Sequence, residues 1–378
     1  MALEIERPLF AAGNNWDFQA LKDDLLTTDN VDQVTDVPKL AFLDGLEAGT
    51  DQDAIVLTSY PRSGNTLLRG HLERITGLVT GSDCDITKKL NVALMNMGLA
   101  GEGLVDKRVW TIKTHYPERY GKTKFGAERA ILLVRSPLDC ITSLYNMVCS
   151  GSHDLSVADD TYTKFPQHWA EFVQQEITVW KDFHEFWMKA KIPVHIIRYE
   201  DICQKPEPTM TELIKYILNV ETLEGTKVEK YIKIACTKPS PQVYKPRKGV
   251  VHGNKDKFRP MALDFMFNYA NELLCKFDYA HLLLADGTAA AENYKQDTSI
   301  MNIAQLNAKA LKESIYNYYE SEDVTSIMIN YPALLLRKKS ELYPDGRTSY
   351  RFKRMLRNKV EIVGKSAFDA PPKMSELD

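Results

Sequence analysis

Short cysteine pairs are missing from this 378-residue chain: its six cysteines, Cys84, Cys140, Cys149, Cys203, Cys236 and Cys275, lie far apart. No C-x-x-C spacing is available for a zinc or dithiol site, so unpaired thiols in a reducing compartment are expected. Long apolar runs are missing as well; nothing approaches the roughly 20 consecutive apolar residues of a membrane-spanning helix. The first residues, MALEIERPLFAAGNNWDF, carry acids early and no continuous apolar core, so they do not read as a secretory signal. A cytoplasmic protein is the expectation. Charge of one sign is also scarce. A net charge of -3 gives no global pull toward nucleic acid or an anionic membrane, and any anion chemistry must come from a local cluster. Internal repeats and low-complexity tracts are absent. So is the Walker pattern G-x-x-x-x-G-K-[ST] with its phosphate-reaching lysine, which argues against a P-loop kinase.

What is present is ordinary globular composition, 44% hydrophobic and 26% charged, in a chain long enough for one large domain or one domain plus an appendage. Three regions separate. Residues 1–50 are mixed and acidic with no strong periodicity and read as a surface-wrapping lead-in. Residues 51–285 alternate short β-branched or apolar runs (AIVLTSY, VWTIKT, AILLVR, VHIIRY) with helical patterns (TLLRGHLERITG, LDCITSLYNMV, TMTELIKYILNV). That alternation predicts an α/β fold whose central parallel sheet is flanked by helices. Residues 286–378 open with the polar turn DGTAAAENYKQDTS and form a C-terminal extension, expected to be mainly helical. It carries nine basic residues between Arg337 and Lys359, interleaved with Leu342, Tyr343, Tyr350, Phe352, Met355 and Leu356. Docking on protein, within an oligomer or on a partner, suits that mixture. No nucleic-acid module is matched.

The chemistry concentrates in five strings. Thr58–Arg69, TSYPRSGNTLLR, follows an apolar run and enters an amphipathic pattern, predicting strand, tight turn, helix. Such a turn aims backbone N–H groups and the positive end of a helix dipole at one point, which suits a phosphate or sulfate. Gly64 lets the backbone approach an anion, Arg62 can bind its oxygens and Thr66 adds a hydroxyl. Taken alone, this string also fits an ordinary capped turn. In Trp110–Pro117, WTIKTHYP, alternation suggests a strand delivering Lys113 and His115 to the carboxyl edge of the sheet, two residues apart and on one side. A group transfer to a hydroxyl or amine needs a base for the acceptor's proton and a cation for developing negative charge; histidine and lysine suit those tasks. Ala130–Asp139 reads as a buried strand ending at Arg135, with Pro137 opening a helix that carries Ser143. Val194–Asp201 is another strand with a polar end at Tyr199. Tyr244–Gly249 and Gly253–Phe258 form a basic loop with Arg247, Lys248 and Gly249. The stretch between Cys149 and Gln167 is polar, with Asp154, Asp159 and Asp160, and suggests a polar or cationic acceptor. Trp169 to Trp187 is spaced like the core face of a helix.

In this order, over about Ile55 to Phe258, the strings resemble the sulfotransferases that use 3′-phosphoadenosine-5′-phosphosulfate (PAPS). Their phosphosulfate loop commonly reads Y-P-[KR]-S-G-[TN]-T. The resemblance implies a three-layer fold with a phosphosulfate-binding strand-loop-helix, and sulfuryl transfer to a small-molecule acceptor by in-line displacement. It implies His115 as general base with Lys113 and Arg62 in the catalytic set. Arg62, Ser63, Gly64, Asn65, Thr66 and Leu67 would form the phosphosulfate loop, Arg135 and Ser143 the 3′-phosphate site, Tyr199 a contact on the adenine side, and Arg247, Lys248 and Gly249 a closing loop. The product would be adenosine 3′,5′-bisphosphate, and no metal is expected. Two departures stand out: Leu67 replaces the tryptophan that often stacks on adenine, and Arg62 replaces the loop lysine, turning a point charge into a planar fork. A non-catalytic sulfotransferase-like subunit of a larger assembly is the alternative.

Overall fold

A computed structural model describes residues 17–43, 54–86, 89–96, 98–118, 125–151, 155–237, 251–284, 327–329 and 362–363. The strands are β1 (Ile55–Ser59), β2 (Gly81–Ser82), β3 (Thr111–Thr114), β4 (Phe125–Ala127), β5 (Arg129–Val134), β6 (Ser156–Val157), β7 (Val194–Arg198), β8 (Ile327–Ile329) and β9 (Ile362–Val363). The helices are α1 (Phe18–Leu26), α2 (Asn65–Thr76), α3 (Lys89–Asn96), α4 (Pro137–Ser150), α5 (Thr161–Lys164), α6 (Pro166–Met188), α7 (Tyr199–Gln204), α8 (Pro206–Leu218), α9 (Lys227–Thr237), α10 (Pro260–Lys276) and α11 (Ala280–Leu283).

Five strands form one sheet in the order β2-β3-β1-β5-β7, and every pairing in it is parallel. Parallel neighbours must be joined by crossovers that cover the sheet faces, which is why the buried strands read as continuous apolar runs in the sequence. The two-residue alternation of a strand then divides the core. Val56, Ile112, Ala130, Leu132, Val134, Val194 and Ile196 face one side and pack against α4, α6 and α10. Ile55, Leu57, Ile131, Leu133 and Ile197 face the other and pack against α1, α2, α8 and α9. The result is the expected three-layer α/β fold with β1, the turn and α2 as its strand-loop-helix.

The aromatic stretch is core, as its spacing predicts: Trp169, Phe172, Val173, Ile177, Trp180, Phe183 and Trp187 on α6 are all buried. The lead-in differs from expectation in holding α1. Asp17 caps that helix by accepting from Ala20 N at 2.9 Å, and Phe18, Leu21 and Leu25 bury one face, with Phe18 edge-on to Trp110. Nine residues with a single buried stripe give too little periodic signal to stand out.

Within 286–378 the described residues are β8, which pairs antiparallel with β4, and β9, which pairs antiparallel with β6. The expected helical character and the basic segment Arg337–Lys359 lie outside the described residues. Among the described residues no helix is long and apolar enough to cross a membrane.

Candidate functional site

The carboxyl ends of β1, β3 and β5 lie side by side, and each releases the chain into one of the strings singled out by sequence. From β1 the chain turns through Tyr60–Gly64 into α2. Arg62 and Gly64 both adopt left-handed backbone, with φ 69° and 104°. At Gly64 a side chain is excluded twice over. A Cβ there would stand 2.3 Å from Cδ2 of Tyr199, and L-residues rarely adopt its φ. Gly64→Ala is therefore expected to lower the urea midpoint, by the equivalent of about 2 kcal/mol from backbone strain and displacement of the Tyr199 ring. An unchanged midpoint would show that the loop relaxes around a methyl group.

The turn is pinned from several sides. Asn65 donates to Ser59 Oγ at 2.5 Å, and Tyr60 donates to Glu176 Oε2 on α6, also at 2.5 Å. Arg62 Nε donates to Ser143 Oγ on α4 at 3.1 Å. Arg135, emerging from β5, donates to the Arg62 carbonyl at 2.8 Å and lies 4.2 Å over the Tyr199 ring. Arg62, Ser63, Gly64, Asn65, Arg135, Ser143 and Tyr199 thus come together as one cluster. Ser143 meets Arg62 directly, and Arg135 joins them through the Arg62 backbone. Thr66 stands in the first turn of α2. Leu67 is partly buried against the core cluster that includes Tyr199. Arg247, Lys248 and Gly249 lie outside the described residues. The chain just beyond them is anchored at the start of α4: His252 N and Asn254 Nδ2 donate to the two oxygens of Asp139, at 3.0 and 2.6 Å.

Neither α2 nor α4 has a side-chain cap at its N-terminus, and Pro137 opens α4. Their positive dipole ends meet at the cluster because β1 and β5 are neighbours. Ser63 Oγ, Asn65 Oδ1, Arg135 Nε and Ser136 Oγ are buried there without a hydrogen-bond partner among the described residues. Such atoms cost about 1–3 kcal/mol each when left unsatisfied, and these four lie on the turn into α2 and the start of α4. Burial alone works against the Arg135 charge, but Tyr199, Asp139 and Glu200 hold its affinity for the proton above the ordinary arginine value.

At the end of β3, His115 Nδ1 lies 2.8 Å from the Ser59 carbonyl. A carbonyl only accepts, so Nδ1 carries a proton, and in the neutral ring the lone pair is then on Nε2. Burial pushes the Lys113 ammonium below the usual lysine range, opposed by Asp83 and Glu102. Behind it, Arg69 donates to Glu102, to Thr80 Oγ at 2.7 Å and to the Thr80 carbonyl at 2.9 Å, all buried. The sequence reading missed Glu102 and Asp83, and it gave no site role to Arg69 and Thr114, which stand in its first two strings. They come from separate elements with no shared motif, so only the fold makes them neighbours.

Glu200 accepts from Ser136 N at 3.0 Å and from Tyr279 OH at 2.6 Å, and so braces the start of α4. Asp139, Glu200 and His252 place possible metal-ligating atoms within 4.8 Å of one another, yet each carboxylate oxygen already accepts a hydrogen bond, which suits a structural hub. In the polar stretch after α4, Asp159 and Asp160 are exposed, and Asp160 pairs with Lys164 at 2.6 Å. Those two acids belong to a solvated surface.

A family model for the sulfotransferase domain matches residues 52–260, more than half of the chain, and the protein belongs to that family. Among curated proteins, a WSCD family member of Aedes aegypti is 29% identical over 173 residues, covering 45% of this chain and 52% of that protein. A WSCD family member of Drosophila pseudoobscura pseudoobscura is 30% identical over 163 residues, covering 43% and 49%. The chain spans about half the length of the curated relatives it matches. A solved structure of mouse sulfotransferase SULT7A1 complexed with PAP aligns at a TM-score of 0.37 and 19% identity, over 67% of this chain and 90% of that one.

Proposed function

We propose that the protein transfers a sulfuryl group from PAPS to a hydroxyl or amine of a small acceptor. The observation that carries this reading is the group of buried, unsatisfied polar atoms on Ser63, Asn65, Arg135 and Ser136, where two uncapped helix N-termini meet. Donors and dipoles so arranged favour an anion held against backbone.

Bound PAPS supplies an activated sulfuryl group: a bond from sulfur to the acceptor oxygen or nitrogen forms as the bond to the 5′-phosphate breaks, releasing adenosine 3′,5′-bisphosphate. His115 takes the acceptor's proton on Nε2, its ring oriented by the Nδ1 proton on the Ser59 carbonyl. Lys113 and Arg62 stabilise negative charge as it develops. Arg62, Ser63, Gly64, Asn65, Thr66 and Leu67 wrap the 5′ end. Arg135 and Ser143 bind the 3′-phosphate, Tyr199 packs on the adenine side, and Arg247, Lys248 and Gly249 close over the nucleotide.

Calorimetry tests the reading. Adenosine 3′,5′-bisphosphate should bind, with ATP much weaker. Arg135→Ala should weaken adenosine 3′,5′-bisphosphate by about 10- to 100-fold, the scale of a lost charge-assisted contact, and adenosine 5′-monophosphate far less, because only the former carries the 3′ group. Equal losses would place Arg135 elsewhere, and no binding by the wild-type protein would remove PAPS from the proposal.

A further inference from the structure

We propose that Asp83, acting through the Thr114 hydroxyl, is a positioning residue that holds Lys113 and His115 in their working geometry at the end of β3. The roles of those two residues rest on the sulfotransfer reading above; the hydrogen bonds that connect Asp83 to them do not.

The link begins in the sheet. β2 pairs with β3 through Gly81 opposite Ile112 and Ser82 opposite Lys113, and the ladder runs one step further as Asp83 N donates to the Lys113 carbonyl at 3.1 Å. The Asp83 side chain then crosses to the next residue, where Thr114 Oγ donates to Asp83 Oδ2 at 2.6 Å. The same hydroxyl oxygen accepts from Tyr116 N at 2.9 Å. One hydroxyl, giving its proton on one side and accepting on the other, therefore fixes the backbone on both sides of His115. Beyond it, Trp187 Nε1 holds the Tyr116 carbonyl at 2.8 Å. The His115 ring can present Nε2 only while its backbone keeps Nδ1 on the Ser59 carbonyl.

Asp83 is 4% exposed and Thr114 fully buried, so water cannot take over either bond. The anchor itself is rigid. Ser82 N donates to the Leu104 carbonyl at 2.9 Å, an approach possible because a Cβ on Gly81 would sit 2.4 Å from that oxygen. Asp83 also bears on Lys113 through its charge. The ammonium is faced by Asp83 and Cys84 from the end of β2, by Glu102 from the segment before β3 and by Arg69 from α2. Burial disfavours its charge and Arg69 opposes it further, leaving Asp83 and Glu102 to sustain it. Cys84, its thiol pushed up to about 12 by burial and Glu102, stays neutral.

The test is spectroscopic and needs no acceptor. In protein labelled with 15N-histidine and 13C-lysine, with His115→Gln and Lys113→Gln spectra for assignment, wild-type His115 should show the Nδ1–H tautomer. Asp83→Ala and Thr114→Val should each convert that signal to a mixture of tautomers, Thr114→Ser should restore it, and the double variant should be no worse than either single one. Asp83→Asn, which can still accept from Thr114, should keep the tautomer and lower the pH at which Lys113 titrates. If Asp83→Ala and Thr114→Val both leave the tautomer and the lysine titration at their wild-type positions, Asp83 positions nothing. Binding of adenosine 3′,5′-bisphosphate to the same samples reports separately on the sulfotransfer reading, since none of these residues lies in the loop proposed to hold it.

Discussion

His115→Ala is expected to slow sulfuryl transfer by about two to four orders of magnitude, the scale of a lost general base, while nucleotide affinity changes less than about threefold. The separation follows from the geometry. His115 is held by the Ser59 carbonyl at the end of β1, whereas the buried unsatisfied atoms proposed to meet the nucleotide lie on the turn into α2 and the start of α4. His115→Asn sharpens the experiment, because its amide can donate to the same carbonyl but cannot accept a proton at neutral pH. It should be as slow as alanine. Single-turnover transfer from labelled PAPS reads both variants. Wild-type rates in His115→Asn would assign the base elsewhere, and wild-type rates in both would remove the residue from the reaction.

Glu102→Ala is expected to cost about 3–5 kcal/mol of stability, because it strands the Arg69 guanidinium in the interior. Arg69 and Glu102 are each only 2% exposed, so water cannot replace the lost carboxylate. Arg69 would keep Thr80 and the nearby Glu73, but burial pushes the Glu73 carboxyl above the usual range, making it a weak substitute for a full negative charge. The pH dependence has a definite sign. Burial alone would raise the proton affinity of Glu102, but Arg69 and Lys113 override it and hold the carboxyl below its unfolded value. Its contribution is then fully present above the unfolded carboxylate range and is lost as pH falls through the lower, folded value. Urea midpoints of Glu102→Ala should lie well below wild type at pH 7, with the gap narrowing as the pH falls through that window. Glu102→Gln, which keeps an acceptor for Arg69, should lose less. Equal midpoints at pH 7 would mean that the pair contributes nothing net.

Much of the local structure around the candidate site was legible before any coordinates. Gly64 had to sit in a turn, Lys113 and His115 had to leave a strand together, and Arg135 had to emerge from a buried one. Each conclusion needs only the local period of apolar residues and the punctuation of glycine and proline. Local signal failed where the partner is distant in the chain. Nothing near Arg62 says that its guanidinium will meet Ser143, a residue of another helix. Tyr199 reads as a strand-end tyrosine, and only the tertiary structure shows that its ring occupies the space a Gly64 side chain would need.

By itself, then, the sequence determined the α/β class, the strand-loop-helix and the residue types gathered at the carboxyl edge, because strands, helices and turns are written in short-range periodicity and in backbone freedom. Tertiary structure alone decided which polar atoms are satisfied and which are left waiting. It also decided that α2 and α4 begin side by side, that Arg69 and Glu102 stand behind the end of β3, and that Asp83 meets Thr114 there. Parallel pairing is the physical reason. Strands adjacent in the sheet are separated in the chain by whole crossovers, so the electrostatic and hydrogen-bond partners of a strand end are set by strand order, which no local pattern encodes.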